Sequence, residues 1–250
     1  MLSQHFLTSQ ELVARLVAQA KYEKTDVVLE IGPGKGIITA ELLKNVARVI
    51  GVELDEGLCE YLRIKFGQEN RLQIINQDFL QYKLPEGRYK VISNTPFAIE
   101  SAILRKLLDA QNSPAQINLI LIEEFALRWL GLNYQSQFSI YYLPWWELRI
   151  TYKFKRTDFD PPPTITSVMV EFKKKDNPLL PVGEKSGYQK FLQAGFGGGG
   201  RLAQNLAKVF SKNQMVKIAK QWKILFDWKP TDLSLEQWIQ LYQVSKIYHR

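Results

Sequence analysis

The chain has 250 residues, is 46% hydrophobic and carries a formal net charge of +8. This length suffices for one sizeable core and a second, smaller one. The single cysteine, Cys59, excludes intramolecular disulfides and cysteine-based zinc clusters. The two histidines, His5 and His249, argue against a multi-histidine metal site, so no metal is expected. Without a run of 18 apolar residues or an apolar leader, the chain is predicted to be soluble and cytoplasmic.

Helical and strand periodicities alternate through the first half of the chain. The first helix is predicted to begin with Thr8 as its N-cap and Glu11 closing a capping box. The next predicted elements are, in order, the strand DVVLEIG, the helix GIITAELLKNV, the strand RVIGVEL, the helix EGLCEYLRIKF, the strands RLQIINQDF and YKVISN, the helix AIESAILRKLLDA and the strand INLILIEE. This alternation predicts an α/β fold with a mostly parallel, doubly wound sheet.

The pattern changes in the last third of the chain. The segments ELRITYKFK and SVMVEFKKK, separated by a proline-rich loop, are predicted to form a hairpin at the end of the sheet. Only helices follow: RLAQNLAKVF, NQMVKIAKQWKILF with Ser211 and Gln214 as a capping box, and LSLEQWIQLYQ. We therefore predict two domains, residues 1–177 and a small helical domain at 178–250.

The positive charge is concentrated in the C-terminal part. Residues 1–150 hold 16 basic and 17 acidic side chains, whereas residues 151–250 hold 17 basic and 8 acidic ones. A solvated surface explains a moderate excess, but an excess on one part of the chain favours a nucleic-acid partner.

A glycine-rich loop follows the first long strand. Gly32, Gly34 and Gly36 stand between a strand and a helix, where backbone comes close to a nucleotide-like ligand. The spacing, with Glu30 leading, is E-x-G-x-G-x-G, which favours S-adenosylmethionine over a dinucleotide. About 20 residues later the next strand ends on Glu53, where an acid accepts ribose hydroxyls. The alternative is a tight turn without a ligand.

Acidic and amide side chains end the next two strands. Asp78 can accept from an adenine amino group while Phe79 stacks on the base, although a single strand-end aspartate is more often a cap. Asn94 precedes Pro96 and Phe97. The Asn94 oxygen and a backbone carbonyl beside Pro96 could accept both hydrogens of an adenine amine and aim its lone pair at a methyl group, with Phe97 stacking on the base. The alternative is a strand-terminating turn with a core phenylalanine.

Taken together, QHFL, EIGPGKG, GVELD, NQDFLQ, NTPF and FDPPPTITSVMVEF resemble, in order and spacing, the rRNA adenine methyltransferases. The resemblance covers nearly the whole chain and is greatest to the erythromycin-resistance (Erm) type. It implies a Rossmann-like S-adenosylmethionine-dependent methyltransferase sheet with a small C-terminal helical domain. It also implies that the enzyme methylates the exocyclic amine of an adenine in 23S rRNA, which blocks the binding of macrolides, lincosamides and streptogramin B. The enzyme is expected to be a monomer without a membrane partner.

The resemblance also assigns residues by position. The cofactor-binding set is His5, Leu7, Gly32, Gly34, Glu53, Leu54, Asp78, Phe79 and Asn94, and the catalytic set is Asn94 and Phe97. The family usually has asparagine where this chain has His5. Arg201, Lys208 and Lys212 are predicted to bind RNA, with Lys208 and Lys212 on one helix face.

Three other functions are compatible with these motifs. A small-subunit rRNA adenine dimethylase of the KsgA type shares all of them, although chain length favours the Erm type. A binding protein that has lost catalysis is disfavoured by the intact Gly32, Glu53, Asp78 and Asn94. A DNA adenine methyltransferase is disfavoured because no sequence-reading insertion is evident.

Overall fold

The computed structural model describes residues 5–131 and 135–248, so Gln4 of the QHFL motif and His249 lie outside the described residues. The strands are β1 (Phe6–Leu7), β2 (Val27–Ile31), β3 (Arg48–Glu53), β4 (Leu72–Asn76), β5 (Lys90–Asn94), β6 (Gln116–Ile122), β7 (Trp146–Lys153), β8 (Phe159–Asp160) and β9 (Ser167–Lys174). The helices are α1 (Gln10–Gln19), α2 (Ile37–Asn45), α3 (Glu56–Phe66), α4 (Glu100–Asp109), α5 (Glu123–Leu130), α6 (Gln137–Tyr142), α7 (Lys185–Phe196), α8 (Leu202–Asn205), α9 (Lys212–Trp222) and α10 (Leu235–Tyr248). None of these helices has the length and apolarity needed to span a bilayer.

The predicted doubly wound sheet is confirmed. Its seven strands lie in the order β4-β3-β2-β5-β6-β9-β7. The pairs among β2 to β6 are parallel, and β9 joins β6 antiparallel. The predicted hairpin strands β7 and β9 are neighbours at the far edge of the sheet. The short strands β1 and β8 form a separate antiparallel pair.

The chain divides into two compact units, the first within Met1–Ala126 and Leu148–Lys173 and the second within Leu127–Glu147 and Lys174–Arg250. The core of the first unit joins the apolar stripes of α1 and α2 to one face of the sheet. Val28, Ile92 and Ile120 belong to this cluster, so their buried neighbours Leu29 and Val91 face the other side of the sheet, because strand side chains alternate.

Helix α1 begins one residue later than predicted. Its N-cap is Ser9, whose hydroxyl accepts from the Leu12 N–H. The backbone N–H and the hydroxyl of Thr8 both donate to the Asp158 carbonyl. Thr8 is therefore committed to the strand-like segment that precedes the helix, and the predicted N-cap was wrong.

The second unit is built on helices and buried aromatic rings. In its interior the Phe191 ring packs against the rings of Trp238 and Tyr242, and the Tyr242 ring also packs against that of Tyr188. Helix α7 was not predicted because it contains Gly187 and Gly195, which are poor helix formers. A Cβ on Gly195 would lie 2.4 Å from the Trp238 ring, so glycine makes room for the indole.

The helix predicted over residues 201–210 ends at Asn205. Turns follow, and they allow both Leu206 and Phe210 to be buried. The predicted Ser211–Gln214 capping box then starts α9, as the sequence indicated. The functional division into a catalytic domain at 1–177 and an RNA-binding domain at 178–250 stays a prediction.

We expect the stability of the first unit to depend on a buried ion pair. Lys90 Nζ lies 2.6 Å from Asp26 Oδ2, with side chains 6% and 10% exposed. Replacing Asp26 by alanine leaves the Lys90 ammonium buried without its counter-ion, so the free energy of unfolding should fall by about 3–5 kcal/mol. Urea unfolding measures this change.

The matched control is Glu86→Ala, which removes the partner of Lys83 in a pair whose side chains are 86% and 88% exposed. That variant should unfold at nearly the parental urea concentration because exposed pairs are screened. Equal losses in the two variants would contradict the role assigned to burial.

Candidate active site

The site lies where the strand order reverses. The chain runs from β2 outward to β3 and β4 and then crosses to β5 on the other side of β2. Ile31 of β2 is in register with Val52 on one side and Ser93 on the other. Gly32, Glu53 and Asn94 therefore stand at the carboxyl ends of three neighbouring strands, the place where open α/β sheets bind ligands.

The glycine loop combines tight packing with one open position. Gly32, Gly34 and Gly36 have φ of +65°, +55° and +76°, a region that favours glycine. A Cβ on Gly34 would lie 2.8 Å from the Phe6 ring, and one on Gly36 would lie 2.7 Å from Leu62. A Cβ on Gly32 would meet no atom of the described residues within 4 Å. The backbone at Gly32 is therefore accessible to a ligand.

The Glu53 carboxylate ties this loop to the end of β3. One oxygen accepts from the Gly34 N–H at 3.0 Å, and the other accepts from the N–H groups of Leu54 and Asp55 at 2.9 and 3.1 Å. Glu53 is 5% exposed. Because two carboxylate oxygens offer about four acceptor sites, the group retains capacity for hydroxyl donors.

Glu30, on β2, supports the glycine loop through a hydrogen bond with helix α2. Its Oε2 accepts from the Thr39 hydroxyl of α2 at 2.6 Å, and the side chain is buried. The pKa of Glu30 is raised to about 7, chiefly by burial and also by the charge of Glu53, while the hydrogen bond from Thr39 acts in the opposite direction. Glu30 thus joins β2 to α2.

Asp78 caps the turn that follows β4. Its Oδ1 accepts from the Leu80 N–H at 2.8 Å and its Oδ2 from the Gln81 amide at 3.5 Å. The adjacent Phe79 ring is only 5% exposed, so its stacking on a base stays a prediction.

Sequence reasoning missed Asn76, whose amide donates to the carbonyls of Glu53 and Leu54. Its position as the last residue of a strand was the available signal.

The N-terminal segment is joined directly to the turn after β5. The Asn94 amide nitrogen donates to the His5 carbonyl at 2.6 Å. A carbonyl only accepts, so this bond fixes the amide and turns Oδ1 of Asn94 away from His5. The His5 ring stacks on Phe97 with centroids 6.0 Å apart. Its Nδ1 lies 2.6 Å from the Pro161 carbonyl and therefore carries the hydrogen.

Two predicted cofactor residues differ in their surroundings. The Leu7 side chain is buried in the core of the first unit, and Leu7 pairs with Phe159 through its backbone. Leu54 follows Glu53 and is 60% exposed. An apolar side chain exposed beside a carboxylate suits the flat face of a base, whereas a contact from Leu7 would come through its backbone.

The predicted RNA-binding residues lie on the second unit. Arg201 Nη1 is 3.4 Å from Asp227 Oδ2. Lys208 is exposed in the turns after α8, and Lys212 is the first residue of α9. The prediction that Lys208 and Lys212 share a helix face was wrong, because α8 ends at Asn205.

A model of the ribosomal RNA adenine dimethylase family matches residues 1–246. The chain belongs to this family. Family members related to it include the ribosomal RNA small subunit methyltransferase A of Acaryochloris marina, 30% identical over 96% of this chain and 94% of that protein. Another is the rRNA adenine N-6-methyltransferase of Lysinibacillus sphaericus, 29% identical over 99% of this chain and 96% of that protein.

Solved structures agree with the family assignment. The 23S rRNA methyltransferase ErmE superposes with a TM-score of 0.85 at 25% identity, covering 96% of this chain and 99% of that one. A dimethyladenosine transferase from Plasmodium falciparum has the same fold, with a TM-score of 0.81 at 19% identity. The predicted Rossmann-like methyltransferase fold is confirmed.

As a dimethylase-family member, the protein is an S-adenosylmethionine-dependent rRNA adenine N6-methyltransferase, and its partner is ribosomal RNA. The strand-end residues fit this cofactor. Gly32 offers open backbone at a left-handed φ, and Glu53 has acceptor capacity beside it. An exposed apolar side chain, Leu54, lies next to that carboxylate.

We expect the open space at Gly32 to be needed for cofactor binding. An alanine there keeps the protein packing, but its methyl group enters the open space, so affinity for S-adenosylmethionine should fall at least about tenfold. The left-handed backbone itself costs only about 1–2 kcal/mol of stability. Isothermal titration calorimetry measures the affinity.

The control is Gly87→Ala, which has φ of +76° and also no atom of the described residues within 4 Å of the added Cβ. It carries the same kind of backbone strain away from the strand ends, so the affinity should stay parental. If Gly32→Ala also bound S-adenosylmethionine with parental affinity, the proposed contact of the cofactor with the backbone at Gly32 would be contradicted.

Proposed function

We propose that this enzyme methylates the exocyclic amine of one adenine in 23S rRNA and confers resistance to macrolides, lincosamides and streptogramin B. The observation that carries the proposal is the likeness to ErmE, a 23S rRNA methyltransferase, over 96% of this chain and 99% of that one. The likeness extends through the C-terminal helices as well as the sheet. A methyl group on that adenine blocks the drug site near the entrance of the exit tunnel.

Methylation of the small subunit is the second candidate. It is favoured by the 30% identity to a ribosomal RNA small subunit methyltransferase A over nearly the full length of both chains. The two candidates share the adenine chemistry and differ in the RNA element that is bound.

Residues at the ends of different strands would contact different parts of the cofactor. Bound S-adenosylmethionine supplies an electrophilic methyl group. Glu53 would accept from the ribose hydroxyls, and Asp78, beside Leu54 and Phe79, would accept from the adenine amino group. Gly32, Gly34, the Leu7 backbone and His5 would hold the methionine end. These residues come from neighbouring strand ends and from β1, so one rigid edge positions the whole ligand.

Asn94 activates the target amine by accepting its hydrogens. The amine is a poor nucleophile because its lone pair is delocalised into the purine ring. The Asn94 oxygen, turned away from His5 by the bond at 2.6 Å, and a carbonyl beside Pro96 accept the two hydrogens. This makes the nitrogen more tetrahedral and stabilises the positive charge that develops there. After transfer, the cationic nitrogen loses a proton to solvent.

Phe97 stacks on the extruded base. The ring is partly exposed and follows Pro96, which fixes the backbone entering the short 3₁₀ turn at Phe97–Ile99. A base taken out of its stack loses its neighbours, and an aromatic side chain replaces them.

The exposed cations of the second unit bind RNA phosphates. Arg201, Lys208 and Lys212 form the proposed RNA set, and α9 adds the exposed Lys217 and Lys220 on one helix. In keeping with the resemblance to the Erm type, the enzyme acts as a monomer. It acts in the cytoplasm, where ribosomal RNA is found.

Mapping of methylated adenines tests the target. After expression in a macrolide-sensitive bacterium, primer extension on both ribosomal RNAs should stop at one adenine of 23S rRNA, and the strain should tolerate erythromycin. A stop confined to 16S rRNA would instead establish the second candidate and overturn the first.

The Asn94→Ala variant is the matched control for this experiment. It removes an acceptor needed chiefly in the transition state, so the rate should fall at least about a hundredfold. Thermal unfolding at the parental temperature verifies that the variant is folded. Methylation at the parental rate would contradict the role of Asn94.

The RNA set is tested by salt dependence. The double variant Lys208→Gln with Lys212→Gln should lower the slope of log affinity against log salt by roughly 0.7–0.9 for each phosphate contact removed. Cofactor affinity should not change. Filter binding across a salt series measures the slopes.

Its control is Lys44→Gln with Lys83→Gln, which removes the same charge from side chains 70% and 86% exposed on the first unit. That variant should keep the parental slope. Equal slope changes in both double variants would show an effect of net charge and contradict contacts at Lys208 and Lys212.

A further inference from the structure

Lys106 on α4 is the cation that holds the turn after β4. Its Nζ donates to the carbonyls of Leu80 and Tyr82 at 2.8 and 2.5 Å. The same ammonium lies 5.1 Å from the centroid of the Phe79 ring, within the range of a cation–π interaction. One side chain therefore makes three contacts to the five-residue segment 78–82.

The segment that Lys106 holds is the one that orients Asp78. The Asp78 carbonyl accepts from the N–H groups of Gln81 and Tyr82, both at 3.0 Å. Its carboxylate accepts from the Leu80 N–H at 2.8 Å. The direction of this carboxylate thus depends on where Leu80 and Tyr82 lie, and Lys106 bonds to those two residues.

The electrostatics agree with this coupling. Burial lowers the pKa of Lys106, and the Asp78 carboxylate acts in the opposite direction. A partly desolvated ammonium needs acceptors, and the two carbonyls provide them. Lys106 itself has no role in the chemistry described above.

We propose that Lys106 is a positioning residue that holds Asp78 toward the 6-amino group of the cofactor and so sets the preference for adenine over a 6-oxopurine. The inference rests on the proposed contact of Asp78 with adenine. An amino group donates to a carboxylate, whereas a 6-oxo group presents a second acceptor to it. The discrimination therefore depends on the direction of the Asp78 oxygens.

The test compares two ligands that differ only at this position, S-adenosylhomocysteine and S-inosylhomocysteine. The parent enzyme should prefer the adenine ligand by at least about tenfold, because a carboxylate that the bound ligand covers without donating to it is costly. In Lys106→Met, which keeps an unbranched side chain one atom shorter but loses the charge and the donors, the preference should fall to about threefold or less. Calorimetry measures both affinities.

Three further variants make the result interpretable. Lys83→Met is the same substitution at an exposed lysine and should keep the parental preference. Lys106→Arg retains donors and charge and should restore most of the preference. Thermal unfolding of each variant verifies that it is folded, and Lys106→Gln replaces Lys106→Met if the methionine variant does not fold.

Each outcome decides one point. An unchanged preference in Lys106→Met overturns the proposal. An equal loss of affinity for both ligands also overturns the proposal, because a residue that only stabilises the turn would weaken the binding of both ligands alike. Asp78→Asn tests the proposed contact between Asp78 and adenine, on which this inference rests. A parental preference in that variant would reject Asp78 as the adenine contact, independently of the result at Lys106.

Discussion

The pairing of β2 with β5 is the constraint on which the site depends. Ile31 and Ser93 are in register at the carboxyl ends of these strands, and the Ser93 hydroxyl donates to the Ile31 carbonyl at 2.7 Å. The next residues are Gly32 and Asn94. The open backbone of Gly32, proposed to face the cofactor, and the Asn94 amide, proposed to face the target amine, are therefore adjacent because two strands hydrogen-bond in one register. A slip of this register would separate them.

Polar groups at this edge are oriented by hydrogen bonds within the protein. Glu53 is held by three N–H groups, and Asn94 is held by the His5 carbonyl. Methyl transfer to an adenine amine needs aimed acceptors more than a strong base, and such preorganised dipoles need little rearrangement during the reaction. A site without a catalytic histidine is sufficient for this chemistry.

In the interior of the second unit, glycines leave the space that large aromatic rings occupy. Gly195 leaves room for Trp238, and Gly187 leaves room for Tyr242, whose hydroxyl would lie 2.6 Å from an added Cβ. Dense aromatic packing forms the interior of this small unit, while exposed lysines of α9 cover part of its surface. Core and charge are thus separated on the same helices.

The sequence by itself determined the alternation of strands and helices, the glycine loop and the acidic and amide strand ends, because these depend on local periodicity and on residue types at fixed spacing. It also determined the family, through motifs spread over the whole chain. Only the tertiary structure decided that His5 contacts Asn94 and Phe97, that Lys106 lies over Phe79, and that α7 tolerates two glycines. It also ended α8 before Lys208. These features depend on residues distant in sequence or on packing against a particular ring, and neither leaves a periodic signal in the chain.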